Sequence, residues 1–202
     1  MSFVVTLSGS PHANARSAAL LERVIHAVRE QGSEVVSYHP SDFPPEALVY
    51  ADFRHALVRR LQEDVARADG LIIATPVYKA AYSGALKLLL DLLPQKGLSR
   101  SLVLPIASGG SLAHMLAIDY ALRPVLSALK ARHVLDGVYA VESELAWAAP
   151  GELAIGDELQ ERLDEAVGRF VAQLPSAAPR TEAVVRTLAV TARTVGALAV
   201  AS

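Results

Sequence analysis

The sequence predicts an α/β domain in which a parallel sheet is covered by helices on both faces. Three observations carry this reading. Short apolar runs alternate with longer stretches of helical periodicity about five times along the chain. The short runs are apolar throughout rather than every second residue, as befits strands buried on both faces. A chain of 202 residues, 52% hydrophobic and 20% charged, suits one domain with a substantial core.

The elements follow in order. Phe3-Val4-Val5-Thr6-Leu7 is the first strand, and it runs into Ser-Gly-Ser-Pro. A helix over residues 16–30 places Leu20, Leu21, Val24, Ile25 and Val28 on one face, and Gly32 ends it. Residues 34–38 form the second strand. Pro40, Pro44 and Pro45 mark residues 40–52 as a loop. Leu57, Val58, Leu61 and Val65 define a second helix, and residues 70–74 a third strand bounded by Thr75-Pro76. A helix over 84–93, a strand over 102–107 and a long helix over 112–130, kinked near Pro124, come next. Residues 134–141 hold the fifth strand, broken at Gly137, and Leu159, Leu163, Val167, Phe170 and Leu174 mark the last helix. Five such strands fit the 2-1-3-4-5 order of a flavodoxin-like three-layer sandwich better than a six-stranded Rossmann sheet. The domain is expected to span 1–174, leaving 175–202 as a tail without an evident docking face.

Composition excludes several functions. A net charge of −2 and a pI near 6.3 give no footing for nucleic acid. The absence of cysteine removes disulfides, thiolate chemistry and cysteine zinc sites. The first ten residues lack the basic start of a signal peptide, and Arg186 and Arg193 interrupt the apolar stretch over 183–200. A cytoplasmic protein with no membrane partner is expected. The histidines are not spaced as a metal site, and His114 reads as a surface or interface residue.

In a doubly wound sheet, ligands bind at the carboxyl ends of the strands where the order reverses. Three loops lie there. The first, over 8–17, joins a strand to a helix start, where backbone N–H groups and the helix dipole attract a phosphate. Ser8, Ser10 and Ser17 add hydroxyls and Arg16 a fixed charge. No Gly-Lys-Ser/Thr follows, so a monophosphate suits the loop better than a triphosphate. A plain helix start capped by Asn14 or Ser17 is the alternative. The second loop, Thr75-Pro76-Val77-Tyr78-Lys79 through Ser83-Gly84 to Lys87, is long for a βα turn and is stiffened by Pro76. Its tyrosines, Tyr78 and Tyr82, suit a flat aromatic ligand, or else packing or a dimer contact. The third, Ser108-Gly109-Gly110-Ser111, permits close backbone approach to a planar ring, although a plain turn has the same composition.

Gly9-Ser10-Pro11 with Arg16-Ser17, and the run TPVYKAAYSGALKLLLDLLP over 75–94, resemble the NADPH-dependent FMN reductase family. Gly109-Gly110-Ser111-x-x-His114 and DYALRPVLSALKA over 119–131 resemble, within it, the reductase component of two-component alkanesulfonate monooxygenases. The resemblance covers residues 3–141. It implies a flavodoxin-like fold, FMN and NADPH as substrates, and delivery of reduced FMN to a separate monooxygenase. It implies that Ser10, Arg16 and Ser17 hold the flavin phosphate, that Pro76, Val77, Tyr78 and Lys79 line the ring and ribityl chain, and that Ser108, Gly109 and Gly110 flank the isoalloxazine. Ser8 and Ser83 complete the expected cofactor-binding set. Tyr120 matches a tyrosine that makes a π-bulge at the subgroup's tetramer interface, so a homo-oligomer, dimer or tetramer, is expected. One departure stands out: the subgroup often has serines after the arginine, whereas here Arg16-Ser17 is followed by Ala18-Ala19. Fewer hydroxyls suit a flavin that is released.

Hydride transfer from nicotinamide to flavin needs no protein acid or base, so no catalytic residue is expected. A quinone or azo reductase with tightly held FMN would use the same loops. A flavodoxin-type electron carrier is disfavoured by the small net charge.

Overall fold

The computed structural model describes residues 1–12, 14–149 and 152–175. The expected tail therefore lies, from residue 176 on, outside the described residues. Strand β1 (Phe3–Ser8) leads into helix α1 (Arg16–Glu30) and strand β2 (Glu34–Tyr38). Helices α2 (Pro45–Val49) and α3 (Ala56–Arg67) precede β3 (Gly70–Tyr78), the short β4 (Ala81–Tyr82) and α4 (Gly84–Asp91). Then come β5 (Leu102–Gly109), α5 (Arg123–Ala128), β6 (His133–Val134) and β7 (Val138–Val141). A hairpin of β8 (Leu145–Ala149) and β9 (Glu152–Ile155) leads to α6 (Asp157–Gln173).

The sheet runs β2-β1-β3-β5-β6, with β7 also pairing parallel to β5. Counting β6 and β7 as the two halves of one broken strand, this is the predicted 2-1-3-4-5 order. The sheet nevertheless has seven strands, because the fifth is split into β6 and β7 and β4 folds back antiparallel on β3. Alternation along the strands builds the layers. Val5, Leu7, Leu71 and Ile73 face a core completed by α3, α4 and α5. Val4, Ile72, Ala74, Leu104 and Ile106 face the opposite core with α1 and α6. The carboxyl ends of β1, β3 and β5 thus lie side by side between two packed helical layers.

Four sequence expectations are corrected. Residues 40–52 hold a 3₁₀ turn, Pro40–Asp42, and α2, because Pro45 stands in a first helical turn, where its missing N–H costs nothing. The strand expected over 70–74 continues to Tyr78 and turns back, so the expected long loop is a hairpin. The helix expected over 112–130 is three pieces: a 3₁₀ turn Leu112–His114, a π-helical turn Ile118–Leu122, and α5. Pro124 lies in the first turn of α5 and has no N–H to give to the carbonyl of Tyr120, so the α-helical hydrogen-bond ladder is interrupted where the π-helical turn meets α5. The β8–β9 hairpin is not foreseen. Its Leu145 is buried, and Leu153 and Ile155 pack on the α1–α6 core.

Beneath β2, a polar cluster ties the sheet to α3. The Tyr38 hydroxyl donates to Asp64, and Arg67 donates to the other Asp64 oxygen from Nε at 3.0 Å and Nη2 at 2.8 Å. The Arg67 guanidinium also stacks 3.8 Å over the Phe3 ring. Burial, reinforced by the Asp64 hydrogen bond and charge, pushes the Tyr38 hydroxyl far above the usual tyrosine range.

Candidate functional site

The three loops emerge from neighbouring strands in register. Ser8 pairs with Ala74, and Pro76 with Ser108. In the first loop the Ser8 hydroxyl accepts from the Ser10 N–H at 3.3 Å. The Ser10 hydroxyl accepts from the His12 N–H at 3.1 Å and donates to the His12 carbonyl at 2.9 Å. Helix α1 begins after Ala15, with no side-chain cap and no acidic residue in its first turn. The Ala15 and Ala18 N–H groups already donate, to the His12 and Ala15 carbonyls at 3.2 and 3.0 Å, which leaves the helix dipole and the N–H groups of Arg16 and Ser17 for an incoming anion. Two polar atoms in that turn, Ser17 Oγ and Arg16 Nε, are buried with no hydrogen-bond partner among the described residues. Such groups are costly unless a ligand satisfies them, at about 1–3 kcal/mol each. Arg16 faces one carboxylate, with Nη1 3.6 Å from Glu142 Oε1.

The second loop is a two-residue hairpin. Tyr78 pairs with Ala81, and Lys79 and Ala80 between them have φ of 51° and 63°. Positive φ at both positions is the habit of type I′ turns and is rare for residues other than Gly, Asn and Asp. The turn holds Tyr78 and Lys79 exposed at the rim, with Pro76 buried and Val77 half-buried behind them. Thr75 and Ser83 stitch the loops together. Thr75 Oγ1 accepts from the Ser83 N–H at 3.1 Å. The Ser83 hydroxyl donates to the Gly9 carbonyl and accepts from the Leu86 N–H at 3.1 Å, capping α4. Ser83 is 1% exposed and its hydroxyl is occupied, so it shapes the site from behind. Ser8, fully buried, does the same for Ser10.

In the third loop Ser108 and Gly109 are buried and Gly110 is exposed. A Cβ on Gly109 would lie 2.3 Å from the Tyr139 hydroxyl. That hydroxyl donates to the Ser111 carbonyl at 2.8 Å, so Tyr139 props the loop from below. Burial raises its pKa, and the nearby Glu142 charge adds to the shift. Tyr120 stands apart, 78% exposed in the π-helical turn. His114 is exposed at the end of its 3₁₀ turn.

Sequence reasoning placed Thr75 in the second loop without a role of its own, and missed Tyr139 and Glu142. Thr75 opens the quoted motif, but its tie to Ser83 is not written locally. Tyr139 reads as strand filling, and Glu142 lies just past the strand.

The arrangement sets two buried polar atoms at the start of α1 beside a tyrosine-bearing turn and a glycine, Gly109, with no room for a side chain. It defines a doubly wound α/β domain with these features gathered at the switch point of its sheet, where ligands of such sheets bind. Residues 3–146 match the NADPH-dependent FMN reductase family. The chain is 51% identical to an FMN reductase (NADPH) of Pseudomonas putida, covering 83% of this chain and 85% of that one. It is 48% identical to an FMN reductase (NADPH) of Escherichia coli, covering 83% and 87%. Among solved structures, an apo NADH:FMN oxidoreductase superposes with a TM-score of 0.80 at 38% identity, covering 89% of this chain and 92% of that one. The chain belongs to the NADPH-dependent FMN reductase family: it is an oxidoreductase that uses FMN and NADPH.

Proposed function

We propose that this reductase works on free FMN and hands reduced flavin to a separate monooxygenase, one that desulfonates alkanesulfonates in sulfur assimilation. The reading includes residues 1–174 as the reductase domain, a cytoplasmic location and a homo-oligomer. The observation that carries it is the thin phosphate cradle: Ser17 Oγ and Arg16 Nε are its orphaned donors, and the alanines at 18 and 19 offer none. The motifs over 109–114 and 119–131, which resemble the alkanesulfonate system's reductase, support the choice of partner.

Bound FMN supplies the chemistry, its ring accepting hydride from the nicotinamide. Ser10, Arg16 and Ser17, with the first N–H groups of α1, would hold the phosphate. The Pro76-Val77-Tyr78-Lys79 strand end would lie along the ring and ribityl chain, with Ser108, Gly109 and Gly110 at the ring's other side. Ser8, Thr75, Ser83 and Tyr139 keep these three walls in place. No side chain is asked to move a proton.

The test is NADPH oxidation by purified protein as free FMN is added. A rate that climbs and saturates with free FMN is expected. A rate indifferent to added FMN, with FMN copurifying and quinones the better acceptors, would overturn the reading.

A further inference from the structure

Glu142 has no evident part in holding FMN, yet it is set into the cradle. It begins the 3₁₀ turn Glu142–Glu144 at the end of β7. Glu144 locks that turn: it accepts from the Val141 N–H at 2.8 Å and pairs with Arg162. The Glu142 carboxylate is left facing Arg16 Nη1 at 3.6 Å, beside Gly110 of the third loop, where a Cβ on the glycine would lie 4.0 Å from its carboxyl carbon. The same arginine carries the buried, unpartnered Nε. The positive charge expected to grip a phosphate therefore already lies near a carboxylate whose backbone the fold positions.

We propose that Glu142 is a resident competitor for Arg16 that weakens the hold on the flavin phosphate and so favours release. The proposal rests on the FMN reading above. A phosphate drawn to Arg16 must either displace the carboxylate from it or sit near a like charge, and both lower the affinity that the donors alone would give. Glu142 is 53% and Arg16 37% exposed, so solvent moderates the effect.

The experiment is titration of the flavin-free protein with FMN and, separately, with riboflavin, read by flavin fluorescence, for wild type, Glu142→Gln and Glu142→Ala. Both variants are expected to bind FMN about two- to fivefold more tightly, as an exposed ion pair of this kind allows. Riboflavin, which has no phosphate, is expected to bind all three proteins alike. The gain for FMN is expected to shrink at high salt, where exposed charges are screened. Weaker or unchanged FMN binding in the variants overturns the proposal, since it makes Glu142 a positioning residue or a bystander. An equal gain for riboflavin overturns it too. Wild-type protein that binds no FMN overturns both this proposal and the reading beneath it.

Discussion

Gly9 lies against Thr75 with no room for a side chain: a Cβ at position 9 would sit 2.7 Å from Thr75 Oγ1 and 3.0 Å from its Cα. The Gly9 N–H donates to the Ala74 carbonyl at 2.6 Å, and its carbonyl accepts from Ser83. One glycine thus joins the anion loop to the hairpin strand. Gly9→Ala must push these walls apart, and the neighbour it strikes is backbone as well as side chain. We expect a loss of about 1–3 kcal/mol in stability, as for overpacking elsewhere, and FMN binding weakened at least tenfold. Thermal melts and a flavin titration check both. Native stability and affinity in that variant would show that the approach relaxes freely.

Tyr120 in the π-helical turn is 78% exposed, and Leu112, Met115 and Leu116, shortly before it in the chain, are exposed by 60%, 48% and 50%. Four exposed large apolar side chains in one short segment are what an interface would bury. Tyr120→Ala is expected to weaken self-association by about 2 kcal/mol, roughly thirtyfold, if Tyr120 anchors an interface. Flavin retention should tighten at the same time. Sedimentation velocity across a concentration series measures the first effect, and dialysis of flavin-loaded protein the second. An unchanged assembly that still loses its flavin would refute the role.

Much of the fold was legible because it is written in local pattern. The runs at 3–7, 70–74 and 102–107 are apolar throughout, and β1, β3 and β5 are buried along nearly their whole length. The helix face Leu20, Leu21, Val24, Ile25 and Val28 is likewise buried. What was not legible depends on partners distant in sequence. The turn at Lys79-Ala80 lacks the Asn-Gly signature of its φ values, and only the pairing of Val77 with Tyr82 reveals it. Ile118, at the start of the π-helical turn, packs over Gly137, where a Cβ would come within 2.8 Å of it, a contact no local pattern announces. In the site, the motif residues stand at the three strand ends, as their spacing implied. Ser8, Ser10 and Ser83 differ from Ser17, since neighbours use their hydroxyls, and no linear pattern announces a hydrogen bond between residues 83 and 9.

Tyr38 makes stability sensitive to alkali. Its folded pKa is raised above the ordinary 10.0 by burial and by Asp64. The unfolded chain therefore loses this proton first as pH climbs. Its contribution is fully present below about pH 10 and declines above it, because the unfolded state then binds fewer protons than the native one. Urea unfolding at pH 9 and pH 11 should show a drop in the wild type that is smaller in Tyr38→Phe. At neutral pH the same variant should lose about 1–3 kcal/mol, since buried Asp64 forfeits a donor. An identical alkaline drop in both proteins would assign it to other groups.

Arg16 and Ser17 separate a ligand-binding role from a structural one, because both carry buried atoms that nothing in the described protein satisfies. Arg16→Ala removes a charged donor and should weaken FMN binding by about 1.5–3 kcal/mol, a factor of roughly 10 to 150. Ser17→Ala is the sharper probe. If Ser17 Oγ were part of the fold's own bonding, its loss would destabilise the flavin-free protein. It has no partner, so alanine instead removes a buried, unsatisfied hydroxyl at a helix start. The flavin-free variant should be as stable as wild type or more so, by up to about 1 kcal/mol, while FMN affinity falls by about 0.5–1.5 kcal/mol. Melts without and with FMN read the two effects with opposite signs. A variant less stable without flavin, yet unchanged in FMN affinity, would make Ser17 a structural residue and leave Arg16 and the α1 backbone as the phosphate grip.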